Sequence, residues 1–342
     1  MKKTSFSCLL IIMIAIMLAG CNTGKNEASH GYQQKELEDI SIMLDWYPNA
    51  VHSAIYVAKE KGYFEDEGLD VKIEMPADTN DPLKLAATGK VDLAISYQSQ
   101  LLVSRAEDIP VVSIAAFVRH SLDAIMYKTE NGIQSPKDLE GKNVGYPSAS
   151  VSEAVVASMV ENDGGDMSKV KMTDVGWDLM ASLATNNVDA LVGAYINHEQ
   201  VLLQKEGYNI DVLRLPDYGV PDNYELIIVT GENTLEKKKA SFEKFWRAVT
   251  KGHKDVKENP DAGLKVLLDH ENDSFPLDAE VEKKSLEILL PLMDDESAPF
   301  GYQDEAVWEE VADWLYDSKV IKEQVDPKAA FENIVSKKLT KE

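Results

Sequence analysis

LDWYPNAVHSAIYVAKEKGYFEDEGLDVKIE occupies residues 44–74 of the chain. Its first residues close the apolar run Ile40–Asp45, which reads as a strand. Val51–Gly62 has helical periodicity, and Val71–Met75 reads as a second strand. A strand, a helix and a strand in this order form a βαβ unit. The first strand ends in Asp45, Trp46, Tyr47 and Asn49, and the helix that follows carries His52 and, one turn later, Tyr56. A core strand has no use for such a cluster, whereas a ligand site beyond the carboxyl end of a parallel strand does.

The same alternation continues. Asp81–Thr88 reads as a helix closed by Gly89, Leu93–Tyr97 as a strand, Ser99–Glu107 as a helix, and Val111–Phe117 and Ala124–Tyr127 as strands. A second series follows: strand Asn143–Tyr146, helix Ser150–Asn162 opened by the capping-box pattern Ser150-x-x-Glu153, and strand Val170–Val175. It ends with helix Leu179–Thr185, strand Ala190–Tyr195 and helix His198–Glu206. AATGKVDLAIS (86–96) and LATNNVDALVG (183–193) are weak echoes of each other, each a helix ending at Gly89 or Asn186 before a strand. Such alternation predicts parallel sheets covered on both faces. Beyond Ile227–Val229 the pattern turns helical: Leu235–Asp255, Pro260–Leu268, Ala279–Leu292, Asp304–Asp317 and Lys328–Lys337. The expected fold class is therefore α/β, with two αβ lobes and a helical C-terminal tail. Crossovers near Ile125–Lys128 and Leu226–Thr230 make lobe I discontinuous (38–126 and 228–342), with lobe II (127–227) inserted.

The net charge of −24 over 342 residues excludes nucleic acid as a partner, since phosphates need a basic surface. Lys2, Lys3 and the apolar stretch Phe6–Leu18 read as a signal peptide over residues 1–20. Leu18-Ala19-Gly20-Cys21 resembles a bacterial lipobox, which implies lipidation of Cys21, an anchor to the outer face of the cell membrane, and a polar tether over 21–37. Cys8 lies in the leader, so the mature chain has no pair for a disulfide.

Polar and aromatic residues gather after four expected strands. Asp45, Trp46, Tyr47 and Asn49 follow the first; Tyr97, Gln98 and Gln100 another; Tyr146, Pro147 and Ser148 a third; Tyr195, Asn197, His198 and Glu199 the last of the second series. Aromatic faces beside amides and carboxylates suit a flat, polar, mostly uncharged ring. The candidate ligand-binding set is Asp45, Trp46, Asn49, His52, Tyr56, Tyr97, Ser148, Tyr195, Asn197 and Glu199. Four members have plain alternatives: Trp46 could cap the core, Tyr56 could face the interior by periodicity alone, His52 could be a satisfied helix residue, and Glu199 could be a helix-N-terminal acid that complements the dipole. No GxSxG, HExxH or phosphate loop occurs, and the six histidines show no metal-ligand spacing. No catalytic residue, metal or cofactor is expected. No arginine sits at these strand ends, which speaks against a sulfonate or phosphate ligand.

The opening stretch closely resembles the signature of the thiamine-pyrimidine-precursor-binding family of type II periplasmic binding proteins, which serve importers of the ATP-binding-cassette kind. TGKVDLAISYQ, DLEGKNVGYPS and VDALVGAYINHE are similar to that family's later landmarks, in the expected order. The resemblance implies two lobes that close on a pyrimidine ligand, such as a formylated aminopyrimidine, about a hinge. It also implies delivery to a permease driven by its ATPase. Fungal pyrimidine-precursor synthases resemble the chain too, but carry a lysine for pyridoxal phosphate and a histidine where Ser96 and Gln100 stand here. That departure argues against an enzyme. A receptor for a sulfonate or nitrate anion and a synthase-like enzyme are the rival readings.

Overall fold

The computed structural model describes residues 37–147, 149–271, 274–294 and 298–336. The lipobox with Cys21, its leader, most of the tether and Ser148 lie outside these described residues. Two five-stranded sheets carry the fold. The first contains β1 (Glu38–Met43), β2 (Leu69–Glu74), β3 (Leu93–Ser96), β4 (Val111–Val118) and β10 (Leu226–Gly231), in the order β2-β1-β3-β10-β4. The second contains β5 (Asp123–Lys128), β6 (Asn143–Tyr146), β7 (Lys171–Asp174), β8 (Ala190–Tyr195) and β9 (Ile210–Arg214), in the order β7-β6-β8-β5-β9. The chain thus passes between the sheets at 119–122 and again at 215–225.

The sheets are mixed rather than purely parallel. β10 runs antiparallel to β3 and β4, and β5 antiparallel to β8 and β9. The reason is topological. Each of these strands enters its sheet straight from the other one, with no crossover helix to carry the chain back to the far edge. Consequently β1, β3, β6 and β8 point their carboxyl ends at the gap between the sheets, while β5 and β10 point their amino ends there. β9, a short edge strand of alternating polar and apolar residues (IDVLR), escaped the sequence reading.

Helices α1 (Ser53–Glu60), α2 (Tyr63–Asp66), α3 (Asp81–Ala87) and α4 (Gln98–Ala106) belong to the first sheet. α5 (Ala149–Asn162), α6 (Leu179–Ala184) and α7 (Glu199–Lys205) belong to the second. α5 begins at Ala149, so Ser150 lies inside its first turn rather than ahead of it. The echoed segments hold equivalent places: Gly89 and Asn186 both adopt positive φ (68° and 62°) as the preceding helix ends. Asp92 then accepts from Ser41 N (3.0 Å), and Asp189 from Asn143 N (2.8 Å), each tying its unit to the neighbouring parallel strand.

The C-terminal helices α8 (Glu232–Glu258), α9 (Pro260–Leu268), α10 (Ala279–Met293) and α11 (Glu305–Asp317) wrap the first sheet. Phe242, Phe245 and Trp246 of α8 join one core with Ile55 and Phe64. Trp308, Val311 and Leu315 of α11 join another with Leu101 and Ile227 on the opposite face. α8 crosses α1 so closely that a Cβ on Gly252 would stand 2.1 Å from Ala54 O, which leaves only glycine there. The helix expected over Lys328–Lys337 does not form. After a single turn at Pro327–Ala329 the chain lies along β4, with Ser113 N donating to Ala330 O (2.9 Å) and Glu332 N to Ser113 O (2.8 Å). The open edge of β4 supplies better-placed partners than a helix, and is itself covered.

Candidate functional site

A cavity of about 110 Å³ opens where the strand ends of the two sheets face one another. Asp45, Trp46, Asn49, Tyr97, Tyr195, Asn197 and Glu199 line it, so seven of the ten candidate residues come together. Apolar lining comes from Val51, Val151, Val155 and Leu179. Gly193, with φ of +83°, lets β8 pass beneath Pro147; a Cβ there would stand 2.7 Å from the Pro147 ring.

The loop after β1 is held by its own polar groups. Asn49 accepts from Val51 N (3.1 Å), opening the turn Ala50–His52 that precedes α1. His52 Nδ1 accepts from Asn49 N (3.2 Å), which leaves Nε2–H to donate to Asp45 Oδ1 at 3.0 Å. His52 is therefore fully buried behind the cavity and orients Asp45 instead of lining it. Tyr56 is also not in the cavity. It packs in the core with its ring 5.4 Å from that of His270, and burial raises its phenol to about 12. In both cases helical periodicity turned the side chain inward.

Trp46, in the lining, meets Trp177 with ring centroids 4.1 Å apart, and Tyr47 stacks on Phe275 at 4.9 Å and 7°. Trp177 follows β7, so the strand-end rule that found Trp46 could have found it. Phe275 lies between helices, with no periodic signal.

The second lobe contributes a charged bridge. Glu199 accepts from Tyr195 N (2.8 Å) with Oε2 and contacts His198 Nδ1 (2.9 Å) with Oε1. His198 Nε2 reaches Glu282 Oε1 on α10 at 3.1 Å, and Glu282 Oε2 accepts from Ala50 N of the first lobe at 2.7 Å. Burial opposes a charge on His198, but Glu199 and then Glu282 outweigh it and raise its pKa to about 10. Burial likewise pushes the Glu199 carboxyl up, yet the His198 imidazolium and the backbone donors hold it below the usual carboxylate range. The site therefore presents an ionised, prepositioned acceptor. Beside it, Asn197 donates through Nδ2 to Ser285 Oγ (3.0 Å).

Asp123 and Glu225, absent from the candidate set, line the far end of the cavity where the chain crosses between sheets. Glu225 Oε1 accepts from the Tyr195 hydroxyl at 3.1 Å. Burial, with help from Asp45 and Glu225, raises the Tyr97 phenol well above its ordinary range; burial and Glu225 do the same to Tyr195. Both phenols therefore act as neutral O–H groups. Among the described residues no lysine or arginine lines the cavity. Ser96 and Gln100 bond to each other (Oγ to Oε1, 2.9 Å).

Two αβ lobes facing each other across a cleft at their strand ends define the type II periplasmic-binding-protein fold. The alkanesulfonate-binding protein SsuA of Xanthomonas axonopodis shares it with a TM-score of 0.69, covering 87% of this chain and 99% of that one at 14% identity. The chain belongs to the NMT1/THI5-like family, whose model matches residues 49–263. It is 44% identical to the formylaminopyrimidine-binding protein of Halalkalibacterium halodurans over 96% of this chain and 99% of the relative. It is more distantly similar, at 24% identity over 68% of this chain and 71% of the relative, to the 4-amino-5-hydroxymethyl-2-methylpyrimidine phosphate synthase THI11 of Saccharomyces cerevisiae.

Proposed function

We propose that this chain is the solute receptor of an importer of the ATP-binding-cassette kind and captures an aminopyrimidine precursor of thiamine, of the formylaminopyrimidine type. The observation that carries this reading is the cavity's composition: aromatic rings, an ionised Glu199, and no lysine or arginine among the described residues of the lining. A carboxylate matches the paired donors and acceptors of an aminopyrimidine edge. Trp46 and a tyrosine, Tyr97 or Tyr195, supply faces for the ring, while Asp45, Asn49 and Asn197 take the remaining polar contacts. Ser148, which follows the strand Asn143–Tyr146 in the sequence, stays in the proposed set as a further polar contact. An anion of the sulfonate or nitrate class would meet carboxylates, and the cation described in the lining, the His198 imidazolium, is already held between Glu199 and Glu282. A synthase would need an amine for pyridoxal phosphate, and the described residues of the lining offer none. The lobes, hinged at the two crossings, close on the ligand and present it to the permease.

Calorimetric titration of the protein with the formylated aminopyrimidine and with taurine tests the assignment. Binding at micromolar or tighter Kd to the pyrimidine alone is the expected result; heat with taurine alone would move the protein to the anion-binding branch. Trp46→Ala should weaken pyrimidine binding by about 1–3 kcal/mol, the scale of a ring stacked on an aromatic side chain. An unaltered Kd would take Trp46 out of the ring's wall.

We further propose that Cys21 is lipidated and holds the body at the outer face of the membrane. Among the described residues no helix is long and apolar enough to cross one. Cys21→Ser should shift the protein from the membrane to the soluble fraction on cell fractionation, and retention at the membrane would refute the anchor.

A further inference from the structure

Among the described residues four carboxyl groups line the cleft, and they are not balanced alike. Asp45 is bonded to His52, and Glu199 to the His198 imidazolium. Among the described residues, no lysine, arginine or histidine pairs with Asp123 or Glu225. Their partners are neutral: Glu225 Oε2 accepts from Leu122 N (2.8 Å) and Asp123 N (3.0 Å), Glu225 Oε1 from the Tyr195 hydroxyl, and Asp123 Oδ1 from Gly193 N (2.6 Å).

None of the titratable groups set against the pair brings a positive charge: two are neutral phenols and three are acids. They are Tyr195 on β8, Tyr97 ahead of α4, Asp45 after β1, Glu199 on α7 and Asp222 before β10. The cations of the crossing segments are engaged elsewhere. His120 contacts Asp222 at 2.7 Å, Arg214 donates to Ser121 O at 2.7 Å, and Arg119 donates to Tyr302 O. Burial accordingly raises both carboxyls, Asp123 well above the usual range. No group of three His, Cys, Asp or Glu among the described residues is arranged to hold a metal ion.

A second observation points the same way. Asn197, only 1% exposed, lines this cleft with its Oδ1 unpartnered. A buried acceptor left unpaired costs roughly 1–3 kcal/mol, which a ligand donor would recover. Buried acceptors without donors, and buried carboxyls without a cation, both call for a ligand rich in N–H groups.

We propose that the cleft also takes an aminopyrimidine carrying a free primary ammonium group, with Asp123 and Glu225 as its counter-charge and Asn197 Oδ1 accepting from one of the ligand's N–H groups. This rests on the aminopyrimidine reading above and extends it from a neutral formamide to the deformylated amine. An ammonium favours the ionised carboxyls, so its binding is coupled to release of a proton from the pair. The amine's affinity therefore rises with pH through the titration of the pair. The uncharged formamide lacks this dependence.

The test is calorimetry of the full-length protein with the amine and with the formamide between pH 5 and 8, in buffers of different ionisation enthalpy. The expected result is an amine Kd that tightens at least tenfold across the range with net proton release. Asp123→Asn, and independently Glu225→Gln, should lower the ratio of amine to formamide affinity by tenfold or more. An amine that fails to bind where the formamide binds, a Kd for the amine indifferent to pH, or a ratio unmoved in both variants would overturn the proposal and leave the receptor reading standing. Silence with both compounds would overturn the two together.

Discussion

Glu199→Gln should lower affinity for the aminopyrimidine by about 100-fold, on the scale of ~3 kcal/mol for a buried hydrogen bond to a charged group. The amide retains the volume but offers one acceptor oxygen where the carboxylate offers two. In the native site those oxygens are aimed by Tyr195 N and His198. An amide also turns an N–H toward either His198 or Tyr195 N, where both sides need an acceptor. Titration calorimetry on the variant checks this, with circular dichroism to show that it is folded. Undiminished affinity would remove Glu199 from the site.

The second large effect concerns stability. Glu282→Ala should destabilise the fold by ~3–5 kcal/mol, because it strips the buried His198 imidazolium of one partner and leaves Ala50 N without its acceptor. For a chain of this size the midpoint of thermal unfolding should fall on the order of 10 °C. The bridge also makes a pH prediction with a definite sign. His198 titrates near 6.5 when unfolded and at about 10 when folded. Its contribution to stability is complete below about pH 6.5 and is lost as pH rises toward 10. Unfolding followed by denaturant from pH 6 to 10 should show this alkaline loss in the native protein and a smaller one in Glu282→Gln. Parallel curves for the two proteins would mean that His198 is neutral in the folded state.

The bridge has a mechanical consequence. It joins the start of α7 in the second lobe to α10 and, through Ala50 N, to the loop that carries Trp46. The residue proposed to read the pyrimidine edge is thus tied to the wall proposed to stack on its ring. Anything that moves α10 bears on both.

Much of this architecture was legible in the chain. Period-two and helical patterns placed nearly every strand and helix, because those signals depend on neighbours within a turn or two. The strand-end rule brought Asp45, Trp46, Tyr97, Tyr195 and Glu199 into one set, since their side chains follow strands whose direction is uniform. The same locality explains the failures. His52 and Tyr56 stand on a helix whose periodicity allowed two faces, and only the packing of α9 and the bonds to Asp45 and Asn49 chose the inner one. The stretch from Lys328 has helical composition, but an unpaired sheet edge more than two hundred residues earlier in the chain captured its backbone.

Asp123 and Glu225 mark the boundary most sharply. They stand at the amino ends of strands, where a rule for parallel sheets does not look. Local sequence determined that β5 and β10 are strands. Their reversed direction follows from the chain crossing between lobes, a property of the path and not of any window of residues. The sequence by itself determined the elements, the two-lobed class and one wall of the site. Tertiary structure alone decided the far wall, the bridge from His198 to Glu282 and the convergence of four carboxyls, because these depend on contacts between residues up to 232 positions apart.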